Sequence, residues 1–245
     1  MNIYSDPQLY DAIHHNYKWD IKLIQSFAKR SKGRVLELAS GTGRLAQPII
    51  NLGMDYTGLE LSKPFLNKAE EKYAGNAKFV LGDMRNFDLG SHFNLIFIGF
   101  NSLAHLLKNQ DLLDALKAIK LHMNSNTIFA IDIFVPDSSF LYRVPKDEID
   151  IMDFIDSSNN QKLTIFESTN YNTLTEINHI NWNFIDKYNN SKFNYKFDMR
   201  MWFPDTLNRI LTDCNYNIQQ FYGDYDHNNF NEKSEKQIYL CTDNI

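Results

Sequence analysis

The feature that most constrains this chain is the alternation of short apolar runs with amphipathic segments between residues 33 and 135. Residues 34–38, 56–61, 79–81, 95–100 and 127–134 read as strands, because each is a compact apolar run. Helices are expected between them. One opens after Gly41-Thr-Gly43 and runs to about Asn51, with Pro48 loosening its first turns. A second is capped by Ser62 with Pro64 in its first turn, and a third covers 111–122. Strands that are apolar on both faces and alternate with helices require a parallel sheet covered on both sides.

The flanking stretches read differently. Residues 6–32 predict two helices, the first started by Asp6-Pro7. Residues 162–168, 176–185 and 192–202 predict antiparallel strands, the last with Phe193, Tyr195, Phe197, Met199 and Met201 alternating with polar residues. The Asn189-Asn190 pair marks the turn before it. A helix over 204–214 and strands over 217–222 and 236–241 complete the chain. The expectation is therefore one domain over 1–245, with a ligand-binding core over 33–135, an antiparallel insertion over 140–202 and a return to the core sheet over 203–245.

Composition excludes several classes. A net charge of −5 argues against a nucleic-acid backbone as partner. No apolar run approaches the roughly 20 residues of a membrane span, and the N-terminus lacks a signal-peptide pattern. Cys214 and Cys241 are far apart and read as buried thiols of a reducing cytoplasm. The basic run between Lys29 and Arg34 reads as a helix end.

The chemistry begins at Val35-Leu-Glu37-Leu-Ala39-Ser40-Gly41-Thr42-Gly43-Arg44, a strand leading into a glycine-rich turn that opens a helix. Gly41-Thr-Gly43-Arg-Leu-Ala46 also fits the dinucleotide pattern, with Glu60 near the expected acidic position. Charge separates the possibilities. A pyrophosphate over this turn would meet Glu37 at the strand end, and the repulsion in a partly buried site is costly. A ligand carrying a sulfonium and an ammonium reverses the sign, and Glu37, Glu60 and Asp83 then form a complementary set at three successive strand ends.

Glu37-Leu-Ala-Ser-Gly41-Thr-Gly43, Gly58-Leu-Glu60-Leu-Ser62 and Gly82-Asp83-Met84-Arg85 together resemble the cofactor motifs of class I S-adenosylmethionine-dependent methyltransferases. The resemblance implies an α/β, Rossmann-like fold: a seven-stranded, mostly parallel sheet with an antiparallel insertion after the fifth strand. It also implies S-adenosylmethionine as cofactor. Glu37 would face the methionine end, with Ala39, Ser40, Gly41 and Gly43 in the turn. Glu60 would accept from both ribose hydroxyls, Leu61 would lie against the adenine, and Asp83 would take its amino group with help from the Met84 backbone. Tyr10, Tyr17 and Phe100 complete the expected cofactor set. One departure is Ala39, where the family usually has glycine. The segment from Trp202 through Gly223-Asp-Tyr-Asp226 to Ser234 is similar to small-molecule members, in which the insertion roofs the site. Gly99-Phe100-Asn101-Ser102 lacks the Pro-Pro-aromatic signature of enzymes acting on DNA bases or glutamine side chains. The implied reaction is in-line methyl transfer to N or O of a small-molecule acceptor, by a cytoplasmic monomer or homodimer with no nucleic-acid or membrane partner.

Holding two reactants in line supplies much of such a reaction's barrier reduction, so a general base is needed only when the nucleophile starts protonated. His105, after the fourth strand, is the candidate base, against the plainer role of a packing histidine. His179 is a second candidate. Arg200 could bind an acceptor anion or lie on a solvated strand face, and Asp224 and Asp226 could grip an amine or belong to a loop. Tyr195, Phe197 and Met199 read as core before pocket. No metal-ligand spacing is present.

Overall fold

The structure is a computed structural model that describes residues 3–145, 147–156, 160–186 and 190–243, with the side chains of residues 191 and 192 set aside. Numbered along the chain, its elements are α1 (Pro7–His14), α2 (Ile21–Ser31), β1 (Arg34–Leu38), α3 (Ala46–Ile50), β2 (Asp55–Glu60), α4 (Lys63–Tyr73), β3 (Lys78–Leu81), β4 (Leu95–Ile98), α5 (Asn109–Lys120), β5 (Ile128–Phe134), α6 (Ser138–Leu141), β6 (Ile149–Asp156), β7 (Gln161–Asn172), β8 (Ile177–Asp186), β9 (Ser191–Arg200), α7 (Pro204–Asp213), β10 (Tyr216–Tyr222) and β11 (Lys236–Asp243). They fall into two compact units, one of residues 18–135 with 202–245, the other of residues 1–17 with 136–201.

The larger unit carries a seven-stranded sheet in the order β10-β11-β5-β4-β1-β2-β3. β1 to β5 run parallel, whereas β11 pairs antiparallel with both β5 and β10. The reversal of strand order between β1 and β4 opens a crevice at the C-terminal edge, where α/β sheets bind ligands. The core joins α2 through Leu23, Ile24 and Phe27 to Val35, Leu95 and Phe97 of the sheet. Lys29 and Arg30 sit in the last turn of α2, where they complement its dipole as expected.

Two local features depart from the sequence expectations. The helix after the glycine turn starts only at Ala46. Before it, the amides of Gly43 and Ala46 donate three residues back, to Ser40 O (3.0 Å) and Gly43 O (3.2 Å). An α-helical start at Gly41 would press the Pro48 ring against the carbonyl of residue 44, so the tighter turn replaces it. The fourth strand ends at Ile98, because Phe100 (φ 51°) and Asn101 (φ 63°) are left-handed. Asp132 anchors that turn: its carboxylate accepts from the Phe100 amide (3.3 Å) and its carbonyl from the Asn101 amide (3.1 Å).

The smaller unit is an antiparallel sheet in the order β6-β7-β8-β9. Asp6 accepts from the Leu9 amide (3.0 Å) to start α1, with Pro7 in the first turn. Leu9 and Ile13 pack with Phe154, Leu163, Ile165, Phe184 and Tyr195, and Phe197 borders that cluster. Tyr195 and Phe197 are thus core residues. β6 was not expected from sequence: a bulge between Asp150 and Met152 breaks the period of two that reveals a strand. Of the expected Asn189-Asn190 turn, Asn189 lies outside the described residues. Cys241 is buried, but Cys214, expected buried, is only half-buried; both are free thiols. Among the described residues, no helix is long and apolar enough to cross a membrane.

Candidate active site

The C-terminal edge of β1, β2 and β3 gathers the three carboxylates singled out in the sequence, each in a different environment. Glu37, next to last in β1, is buried and accepts a 2.5 Å hydrogen bond from the Tyr56 hydroxyl. Burial pushes its pKa up to about 8, against the Tyr56 bond and the nearby Arg44, both of which lower it. Glu60 ends β2. Its Oε2 accepts from the Gly41 amide (2.8 Å) and its Oε1 from the Ser62 amide (2.7 Å). One side chain therefore ties the glycine turn to the start of α4. Burial raises its pKa, and the amide bonds from Ser62 and Gly41 oppose the rise.

Asp83 lies two residues beyond β3 and is half-buried. Arg85 holds it through Nη2 (2.6 Å), through Nε to both oxygens (3.0 Å each) and through its amide (2.9 Å). These bonds from Arg85 keep the carboxyl below its ordinary range despite partial burial. Between Asp83 and Glu60 the edge is apolar and open: Leu61 is 65% and Leu81 52% exposed, and Leu81 pairs in register with Glu60. Leu81 reads as strand core in the sequence, and only its exposure reveals it as site surface.

The glycine turn is tightly specified. Gly41 has φ +60° and Gly43 φ +75°. A Cβ on Gly43 would lie 2.7 Å from the Tyr73 ring and 2.9 Å from Phe79, so this glycine makes room for α4 and β3 packing. The Gly43 carbonyl accepts from the Tyr73 hydroxyl (2.5 Å). Ala39, the departure from the family pattern, is itself left-handed at φ 57°. Ser40 is buried, its amide bonded to Leu59 O at 3.0 Å.

Sequence reading missed the ionic frame around this turn. Asp20, fully buried at the start of α2, takes a bidentate pair from Arg44 (2.8 and 2.6 Å). The Arg44 guanidinium also lies 5.0 Å over the Phe100 ring, linking the turns after β1 and β4. Lys236 reaches Asp132 (3.4 Å) and Asn101 (3.2 Å), and Tyr225 donates to Asp132 (3.1 Å). These partners are remote in sequence and nothing in their spacing announces them.

The remaining candidates divide. Met84 is half-buried beside Asp83, Phe100 occupies the turn after β4, and His105 is exposed at the end of the 3-10 turn Ser102–His105. Tyr10 and Tyr17 belong to the smaller unit, where Tyr10 lies 4.4 Å from His14. His179 is exposed and paired with Asp198 (2.7 Å). Arg200 is paired with Glu176 (2.9 Å). Asp224 accepts from the amides of Asp226 and Asn228, the loop role foreseen as its plainer alternative.

A parallel sheet with a glycine turn after its first strand and acidic residues at the ends of its next strands has the architecture of a Rossmann-like ligand-binding core. Residues 35–126 match the family model described as a methyltransferase domain. The putative methyltransferase YqeM of Bacillus subtilis (strain 168) is 28% identical over 145 residues, 54% of this chain and 58% of that protein. The dTDP-3-amino-3,6-dideoxy-alpha-D-glucopyranose N,N-dimethyltransferase of Streptomyces fradiae is 28% identical over 134 residues, 51% of each chain. The chain thus spans about half the length of the curated relatives it matches. In fold it is similar to the CcbJ methyltransferase of Streptomyces caelestis, with TM-score 0.80 at 19% identity, covering 100% of this chain and 99% of that one. Residues 35–126 are thus similar to a methyltransferase domain, in keeping with the sequence resemblance to class I S-adenosylmethionine-dependent methyltransferases. The dinucleotide alternative gains no support from these comparisons.

The residues present fit the family's cofactor. Glu60 keeps acceptor capacity beyond its two amide bonds, the Leu61–Leu81 surface is open to a planar base, and Asp83 borders that surface. Glu37, raised to about 8 by burial, is largely protonated at neutral pH, so the expected repulsion of a pyrophosphate does not rest on it.

Proposed function

We propose that this protein transfers a methyl group from S-adenosylmethionine to N or O of a small-molecule acceptor. The observation that carries the reading is the Glu60 carboxylate, held by the Gly41 and Ser62 amides at the end of β2. In this reading Glu60 accepts from the ribose hydroxyls, Leu61 and Leu81 bracket the adenine, and Asp83 with the Met84 backbone takes its edge. Glu37 and the turn from Ala39 to Gly43 face the methionine end. Phe100, steadied by Arg44, borders the reacting carbon, and Tyr10 and Tyr17 belong to the same expected cofactor set. The bound cofactor supplies a methyl carbon already activated by its sulfonium. The protein's own contribution is alignment and exclusion of water, with His105 as the base where the nucleophile arrives protonated.

Acceptor selection is assigned to the antiparallel insertion. An amino sugar is the favoured acceptor class, supported by the sugar N,N-dimethyltransferase among the relatives. Cytoplasmic residence and a monomeric or homodimeric state, with no nucleic acid engaged, belong to the same proposal. Isothermal titration with S-adenosylmethionine, S-adenosylhomocysteine and NADH tests the cofactor. Micromolar binding of the two adenosyl compounds is expected, and binding of NADH alone would overturn the reading. Transfer of a labelled methyl group to a panel of amino sugars and hydroxylated amines then tests the acceptor.

A further inference from the structure

Arg85 is not among the residues to which the family resemblance assigns a role, yet it makes the densest set of contacts in the site. It engages Asp83 on both oxygens and simultaneously donates from Nη1 to Asp111 at 3.1 Å. Asp111 lies in the first turn of α5 and accepts the Lys108 amide (3.2 Å) with its other oxygen. A guanidinium between two carboxylates therefore ties the turn after β3 to the start of α5. Its side chain is 42% exposed, so solvent screens the pair and its contribution to stability is modest.

The donor count decides what is left for a ligand. A carboxylate offers about four lone-pair sites. Three donors of Arg85 occupy Asp83: the backbone amide on Oδ1, Nη2 on Oδ2, and Nε shared by the two oxygens. Three donors for about four sites leave one acceptor position on the carboxylate. A single fixed acceptor that cannot turn into a donor accepts an exocyclic amino group and repels a carbonyl oxygen at the same position.

We propose that Arg85 is a positioning residue for base specificity: by gripping Asp83 against Asp111 it leaves one oriented acceptor, which selects a 6-amino purine over a 6-oxo purine. The proposal rests on the adenosyl-cofactor reading above. The charged groups about Asp83 are Arg85 from its own turn and Asp111 from α5, and the Arg85 bonds hold its carboxyl below the ordinary range. Removing Arg85 frees the carboxyl to turn, so the acceptor is no longer oriented.

The test is titration of the intact protein with S-adenosylhomocysteine and with its 6-oxo counterpart, S-inosylhomocysteine, between pH 4.5 and 8. The wild type is expected to prefer the amino compound about a hundredfold, with little change across that range. Arg85→Ala is expected to bind S-adenosylhomocysteine about tenfold more weakly, one misplaced charge-assisted bond. It should also lose at least tenfold of its preference. Thermal unfolding should stay close to wild type. A variant with unchanged preference overturns the role of Arg85 while the cofactor reading stands. A wild type that binds neither compound overturns the cofactor reading itself.

Discussion

The two units of this protein differ in where their buried polar groups find partners. In the parallel unit several buried polar groups are held from more than one side, although Ser40 Oγ and Asn208 Oδ1 lack a hydrogen-bond partner. Glu60 takes two amides, Asp20 takes a bidentate arginine, and Asp132 takes an amide, a phenol and an ammonium. Gln237, fully buried, donates to the carbonyls of Phe134 and Trp202 and accepts from Tyr239. In the antiparallel unit, Glu167 is comparably held by Arg143 and Trp182, but both side-chain atoms of buried Asn178 and the hydroxyl of buried Thr169 lack a hydrogen-bond partner. Parallel strands end together at one edge, so side chains there meet the amides of the next turns. The long hairpins of the antiparallel unit spend their backbone groups on one another, and a polar residue facing inward finds no loose amide. Polarity is therefore concentrated where the parallel unit presents a site.

The largest effect that would sharpen this contrast is expected at Glu60. Glu60→Ala removes the acceptor for two hydroxyls and is expected to weaken S-adenosylhomocysteine binding about a hundredfold or more. Circular dichroism should show the fold retained. Unchanged affinity in calorimetry would break the assignment of polarity to ligand binding.

Next comes Glu37. Its folded pKa stands at about 8 against an ordinary 4.5. In that window the folded protein keeps a proton that the unfolded chain releases. The stability associated with this group is fully present below about pH 4.5 and lost as pH rises through about 8. Glu37→Gln, neutral at every pH, should remove that slope. Melting temperatures taken at pH 5 and pH 8.5 should differ less in the variant than in the wild type, and equal slopes would contradict the burial of a neutral acid.

Asn178→Leu tests the other unit. Replacing an amide with no partner by an apolar group of similar size should raise stability by about 1–2 kcal/mol, read as a shifted denaturation midpoint. A drop would mean that the amide is satisfied and that the two units do not differ in this way. The smallest effect is expected at the turn itself. Ala39→Gly relieves a left-handed alanine and should stabilise by up to about 1 kcal/mol, since the gain in strain is partly offset by a freer unfolded chain. A loss of stability would show that the alanine methyl is packed and not merely tolerated.

Several elements were legible in sequence because they obey local rules. β1 ends where expected, the Asp6 cap forms, and Lys29 and Arg30 close α2. The acidic residues fall at successive strand ends because strand length and the glycine turn are both written locally. β6 escaped because its bulge spoils the alternation, and the end of β4 escaped because left-handed backbone at Phe100 and Asn101 is imposed by Asp132, which lies more than 30 residues away.

What the sequence alone determined is the class of fold and the sign of the site: parallel strands from their apolar runs, a tight turn from its glycines, and an acidic edge from three residues in register with the strand ends. The tertiary structure decided how each carboxylate behaves. The same kind of group is a buried acid raised to about 8 at Glu37, an amide-held acceptor at Glu60 and a low-pKa partner of arginine at Asp83. The reason is physical: a side chain's type is a local property, whereas its burial, its donors and its neighbouring charges are supplied by residues that only folding brings within 3 Å.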